Sequence, residues 1–220
     1  MDMRSLNRTD GLRDVLALAS AVGVVGASFG ALAAAAGLSP ALTVGMSLLV
    51  FAGGSQFLVV SVVAAGGSPL AAVVAGLLIN ARHLPFGLAV APAVGRSWPA
   101  RLFGAHILID ESTAYARSRP GDARRAFWTS GVALFVFWNL GTVVGLLGGS
   151  AVPDPDAFGI DAAFPAALLA LLLPGLRAAD TRRVGLAAAA AALVATPFLP
   201  PGLPVLIGLL GLAVAGRGER

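Results

Sequence analysis

The run from Val15 to Ala36 carries no charged side chain, and a helix of about 20 apolar residues is what a bilayer core requires. Such runs recur along the chain. Leu42 to Ala65 follows a break at Ser39-Pro40. A third run opens at Pro69, loses its apolar character at Asn80-Ala81-Arg82-His83 and resumes from Leu84 to Val94. A fourth, Leu102 to Ala116, is short and carries Asp110 and Glu111. Phe127 to Leu147 is uninterrupted, whereas Ala163 to Leu176, Val184 to Leu199 and Leu203 to Gly216 fall near or below the lower length limit.

Composition agrees. The 220 residues are 57% hydrophobic and only 12% charged, with a mean hydropathy of +0.86, where soluble domains carry roughly 25% charge. The chain therefore lacks the polar surface that a disordered, fibrous, disulfide-stapled or cytosolic protein needs. With no cysteine, thiol catalysis, iron–sulfur clusters and Cys-ligated zinc are excluded. No cofactor is expected. The net charge of +4 does not mark a nucleic-acid binder, because all basic residues are arginines in short clusters between apolar runs.

These observations predict an all-α integral membrane protein of about eight hydrophobic segments, some short or broken. It should form one polytopic domain over residues 1–220, seated in the lipid bilayer of the inner or plasma membrane. Residues 1–14 read as a cytoplasmic leader, and the first run is too long for a cleaved signal. Counting cytoplasmic arginines orients the chain. Arg4, Arg8, Arg13, Arg117, Arg119, Arg124, Arg125, Arg177, Arg182, Arg183, Arg217 and Arg220 fall inside, and Arg96 and Arg101 outside. Both termini are then cytoplasmic, and the loop with Asp154, Asp156 and Asp161 is outside.

Polar groups at bilayer depth cost roughly 2.5–3.5 kcal/mol each when charged, so they mark sites. In Asn80-Ala81-Arg82-His83-Leu84-Pro85, proline removes a donor and clashes one turn back, so the helix should kink or break. The half-helix end and Arg82 then suit a carboxylate, although Arg82 pairing with a neighbouring acid serves equally as pure structure. His106 and Asp110 are spaced to share a helix face. Two histidines are too few for a metal reading, and Asp110 or Glu111 is either a proton or ammonium carrier or simply a partner for Arg82. Gln56, in Phe51-Ala52-Gly53-Gly54-Ser55-Gln56-Phe57, must be satisfied by neighbours or cargo. Its glycines allow close approach, as do Gly26-Ala27-Ser28-Phe29-Gly30 and Gly141/Gly145/Gly149. The former also fits G-x-S-x-G, raising an intramembrane hydrolase built on Ser28, but the strand-turn-helix elbow is missing.

Taken together, Ser28-Phe29-Gly30, the Phe51–Phe57 stretch, Asn80-Ala81-Arg82-His83 with Phe86-Gly87-Leu88 and Ala91-Pro92, Asp110-Glu111-Ser112, and Trp138 with Gly141-Thr142 and Gly145 follow one another in the order seen in a known family. So does Asp161 before Phe164. The chain resembles the AzlC family, large subunits of two-component branched-chain amino acid permeases. The resemblance implies export of branched-chain amino acids driven by the proton motive force, with a small AzlD-like membrane subunit as partner, and no enzyme activity. The site residues rest on the physics instead: Arg82, Asn80, Gln56, Asp110 and Glu111 for cargo, and Asp110, Glu111 and His83 for proton coupling. A non-transporting membrane scaffold is the alternative, and it predicts that matched apolar residues can replace these groups.

Overall fold

A computed structural model describes residues 3–151, 169, 173, 175–199 and 203–214. These are helical, with no strand among them: α1 Met3–Ala35, α2 Pro40–Leu49, α3 Gly53–Ala64, α4 Pro69–Asn80, α5 His83–Val94, α6 Trp98–His106, α7 Asp110–Arg117, α8 Ala123–Ala151, α9 Ala179–Ala195 and α10 Leu203–Ile207. Residues 3–14, read as a leader, continue α1. The sixth run lies almost wholly outside the described residues, as do Asp154, Asp156, Asp161, Arg217 and Arg220.

The glycine faces of α1 and α8 drive the central contact. Gly23 meets Phe137, Gly26 meets Trp138, Gly30 meets Thr142, and Gly149 meets Ala31 and Ala34. Indices rise together, so the two long helices run parallel. Their backbones approach because neither carries a side chain at these positions. The close approach expected of both glycine faces is made within this chain. Within α1 and α8, Gly11–Ala35 and the stretch Pro120–Gly149 are long and apolar enough to cross a membrane. The pair α4–α5, bent by 44° at its break, makes a third candidate among the described residues.

The second run does not cross. Ser39 caps α2, accepting from Leu42 N–H, and Pro40 occupies its first turn, where a missing donor is harmless. Ser47 then donates to Asn139 Oδ1 and lies 3.1 Å from the Thr142 hydroxyl, while Phe51 packs edge-on against Phe135. As α2 advances, its α8 partners fall in number, so α2 runs antiparallel to α8. At Val50–Ala52 the helix stops. Phe51 takes φ +41°, a conformation that costs a bulky residue about 1–3 kcal/mol and persists only when packing enforces it. Gly53-Gly54 then starts α3, which runs antiparallel to α4: Gly54 faces Ile79 and Arg82, and Gly76 faces Ser55 and Val59. Thus α2–α3 dips in and returns to the end it came from.

The fourth run behaves likewise. Gly95 (φ +113°, a conformation that favours glycine) turns the chain after α5, and Ser97 caps α6 by accepting from Ala100 N–H. Ile107 reaches Gly131 and the His106 ring lies 5.4 Å from that of Phe135. The helix breaks at Ile107–Ile109. Then α7 runs back until Tyr115 donates to the Gly11 carbonyl and Arg119 pairs with Asp14 near the start of α1. His106 and Asp110 therefore do not share a helix face, contrary to the sequence reading, because the break falls between them.

One expected loop position changes as a result. The Gly95–Ser97 turn sits at the start of α8, with Trp128 Nε1 donating to the Val94 carbonyl and the Arg124 guanidinium against Gly95. Arg96 and Arg101 therefore lie at the same end as Arg117–Arg125, not opposite them. A span that returns by a re-entrant hairpin leaves its flanking charges on one side. The architecture is an inverted repeat of span plus hairpin, α1 with α2–α3 and α4–α5 with α6–α7, closed by α8. The two halves run in opposite senses, the arrangement that transporters use to place cargo at mid-depth.

Candidate functional site

Three interruptions of helix meet at the centre of the bundle. They are the tip Val50–Ala52 before α3, the break Ala81–Arg82 before α5, and the tip Ile107–Ile109 before α7. Non-helical backbone at such depth is tolerated only when buried in protein or lining a polar cavity. Phe51 and Ala52, and Ile107, Leu108 and Ile109, are all buried.

The two tips use the same local device. Ser55, third residue of α3, donates to the Ala52 carbonyl at 2.8 Å. Ser112, third residue of α7, accepts from Ile109 N–H at 3.0 Å, with the Ile107 and Ile109 carbonyls at 3.2 and 3.1 Å. Each serine thus settles turn groups that would otherwise be orphaned in an apolar medium. The fourth residues, Gln56 and Thr113, are buried (0% and 4% exposed) and each carries an atom without a partner.

Arg82 joins the tips. Its guanidinium lies over Gly54, where an added methyl would come within 3.2 Å of Nη1 and 3.3 Å of Nη2. Its Nη2 stands 3.6 Å from Asp110 Oδ1. That is long for a charge-assisted contact, which closes to about 2.7–2.9 Å when committed. The pair is loose and its charges remain open to competition.

The expected residues are brought together unevenly. Arg82, Asp110 and the Gly54–Gln56 turn converge. Gln56 accepts from Ala52 N–H at 3.2 Å through Oε1, leaving Nε2 free. Asn80, last residue of α4, keeps Oδ1 unpartnered. Glu111 is half-buried in the first turn of α7, beside Asp110. His83 is turned to its own chain: Nδ1 lies 2.9 Å from the Asn80 carbonyl and so carries the proton. Ser28 donates to the Val24 carbonyl one turn back, and among the described residues no hydrogen bond joins it to either histidine.

Sequence reasoning did not single out Thr113, and it named Trp138 only within the resemblance, not as a site residue; Thr113 Oγ1 and Trp138 Nε1 are both buried and unpartnered. Trp138 stacks on Phe29 (20° between planes) and meets Phe57 edge-on, with its ring against Gly53. A signal for Thr113 existed: it follows Ser112 as Gln56 follows Ser55.

Orphaned buried donors and acceptors cost about 1–3 kcal/mol each, and Gln56 Nε2, Asn80 Oδ1, Arg82 Nε, Thr113 Oγ1 and Trp138 Nε1 are five. Four of them lie in or within four residues of a helix interruption. Such a set is suited to a polar ligand. No group of three or more metal-binding side chains occurs among the described residues.

Fold and site define a multi-pass, all-helical membrane protein with re-entrant hairpins around a charged centre. The family model described as AzlC protein matches residues 17–152. The chain belongs to the AzlC family, whose role is in membrane transport. It is similar to the inner membrane protein YgaZ of Escherichia coli, 29% identical over 83% of this chain and 77% of that one. It also resembles an uncharacterized membrane protein of Archaeoglobus fulgidus (30%; 86% and 83%) and the branched-chain amino acid transport protein AzlC of Bacillus subtilis (25%; 58% and 52%). The match spans about half of the Bacillus protein and 58% of a Helicobacter pylori relative. No solved structure matches.

Proposed function

We propose that this chain exports branched-chain amino acids as the large subunit of a two-component permease, with a small AzlD-like membrane partner and the proton motive force as driver. One observation carries the reading: unpartnered buried polar atoms gather where three helix interruptions meet. An amino acid crossing a bilayer needs a site for its carboxylate, one for its ammonium and an apolar pocket.

The two tips differ in charge in a way that suits those ends. Helix amino ends are partially positive. The first turn of α7 neutralises its own with Asp110 and Glu111, while the first turn of α3 is Gly53-Gly54 with Arg82 laid over it. The α3 tip, with Arg82 and Gln56 Nε2, is the carboxylate side. The α7 tip, with Asp110 and Glu111, is the ammonium side, and the unpartnered Asn80 oxygen at the end of α4 is a further acceptor for cargo. Phe51, Phe57 and Phe86 supply apolar surface nearby, and Asp110, Glu111 and His83 are the proton carriers. The name of the Bacillus relative supports the substrate.

The test is efflux of radiolabelled leucine from preloaded cells. Cells making this chain with its small partner should lose label faster than cells with neither. The purified chain alone in liposomes should not transport. Equal retention with and without the pair would overturn the substrate, and full efflux by the single chain would overturn the partner.

The arginine-bearing end is cytoplasmic in this reading, because Arg13, Arg96, Arg101, Arg117, Arg119, Arg124 and Arg125 all lie there. The opposite turns, Gly37–Ser39 and Gly66–Ser68, hold no charge. The absence of native cysteine allows a clean check. Arg96→Cys and Ser118→Cys should resist a membrane-impermeant thiol reagent added to intact cells, and Ser68→Cys should react. Labelling of Arg96→Cys but not Ser118→Cys would refute the re-entrant α6–α7 hairpin.

A further inference from the structure

Between α5 and α6, reaching the α7 tip only at Leu108, lies a crevice of about 290 Å³ lined by Gly87, Ala91, Val94, Arg96, Arg101 and Leu108. That lies at the lower edge of the roughly 300–1,000 Å³ typical of small-molecule sites. Its two ends differ. The deeper wall is apolar. The mouth carries Arg96 and Arg101, and the Arg124 guanidinium closes on it at Gly95, which also lines the crevice; a methyl there would come within 3.3 Å of both Nη atoms. None of these three arginines has an acidic partner among the described residues.

Two tryptophans mark the depth of the mouth. Trp98, two residues after Arg96, is 74% exposed, and Trp128 donates its indole N–H to the Val94 carbonyl. Tryptophans favour the level of the lipid headgroups. Three unpaired guanidiniums at headgroup level beside a slot lined by Gly87, Ala91 and Leu108 match an amphiphile with an anionic head and acyl chains. A soluble anion would use the charges and leave the slot empty.

We infer that the α5–α6 crevice is a binding site for an anionic phospholipid, its phosphate held by Arg96, Arg101 and Arg124 and its proximal acyl chain lying along Gly87, Ala91 and Leu108. Basic pockets between membrane helices bind such headgroups through the same chemistry. The crevice touches the α7 tip at Leu108 but takes in none of the polar groups of the cargo centre, and the proposal does not rest on the transport reading.

Thermal unfolding of the purified chain in detergent micelles tests it, with phosphatidylglycerol, phosphatidylcholine or inorganic phosphate added. Phosphatidylglycerol should raise the midpoint by about 4 °C or more, and the other two should not. Arg96→Gln with Arg101→Gln should abolish the shift. Gly87→Leu, which builds into open space in the slot and leaves every charge in place, should abolish it as well. It also keeps the test decisive if the arginine variant fails to fold. An equal shift with phosphatidylcholine would show a general lipid effect, and an equal shift with phosphate would show a free-anion site. Either result, or a shift retained by Gly87→Leu, overturns the proposal.

Discussion

Arg82→Ala is expected to abolish efflux, by about 100-fold or more. The guanidinium is the group that faces both tips, lying on Gly54 and reaching Asp110 at 3.6 Å. A lost charge-assisted contact to a carboxylate is worth about 1.5–3 kcal/mol, and 2.7 kcal/mol is a factor of about 100. Arg82→Lys should fail too. An ammonium is a point charge and cannot replace the planar fork of Nη1 and Nη2. The decisive variant is Arg82→Ala with Asp110→Ala, which leaves no isolated charge at depth. If the pair serves cargo, this double variant regains membrane abundance and stays silent in leucine efflux. Normal efflux from it would make the pair structural and move the search for the cargo site to Gln56.

Gly145→Val should prevent assembly of the bundle. An added side chain at Gly145 runs into the Ala27 backbone, as one at Gly141 runs into Gly23, and a rigid backbone cannot yield as a flexible side-chain tip can. Overpacking costs about 1–3 kcal/mol even where neighbours shift, and here α1 and α8 must separate along their length. The expected result is a collapse in the amount of folded protein recovered from membranes, measured by size-exclusion profile in detergent. Gly45→Val and Gly148→Val are the controls, since nothing lies within 4 Å of a Cβ at either. They should leave the profile unchanged. Loss of fold in the controls as well would show that valine is not tolerated for reasons other than helix approach.

Much of the candidate site was legible in the residues because membrane burial makes polarity expensive. Arg82, Asn80, Asp110, Glu111 and Gln56 stand out against an apolar background, and the break near Arg82 follows from local chemistry around Pro85. Thr113 did not stand out, and Trp138 did so only as part of the resemblance, not for its indole N–H. An indole or a threonine is unremarkable in a helix until its polar atom proves to be buried without a partner.

The sequence by itself determined the class: apolar runs with sparse arginines admit a helical membrane protein and little else, since an unsatisfied backbone cannot lie in lipid. It also marked the helix starts at Ser39-Pro40 and Pro69, where cap and proline are a local matter; the start at Ser97, ahead of the expected Leu102, came from the structure. Only the tertiary structure decided that the second and fourth runs turn back instead of crossing. Hydropathy reports that a segment is buried in apolar surroundings, and a span and a re-entrant hairpin of equal length satisfy that equally. What separates them is long-range: Ser47 on Asn139, Phe51 on Phe135 and Ile107 on Gly131 hold the tips at mid-depth against α8. Those contacts join residues far apart in the chain, and no local pattern records them.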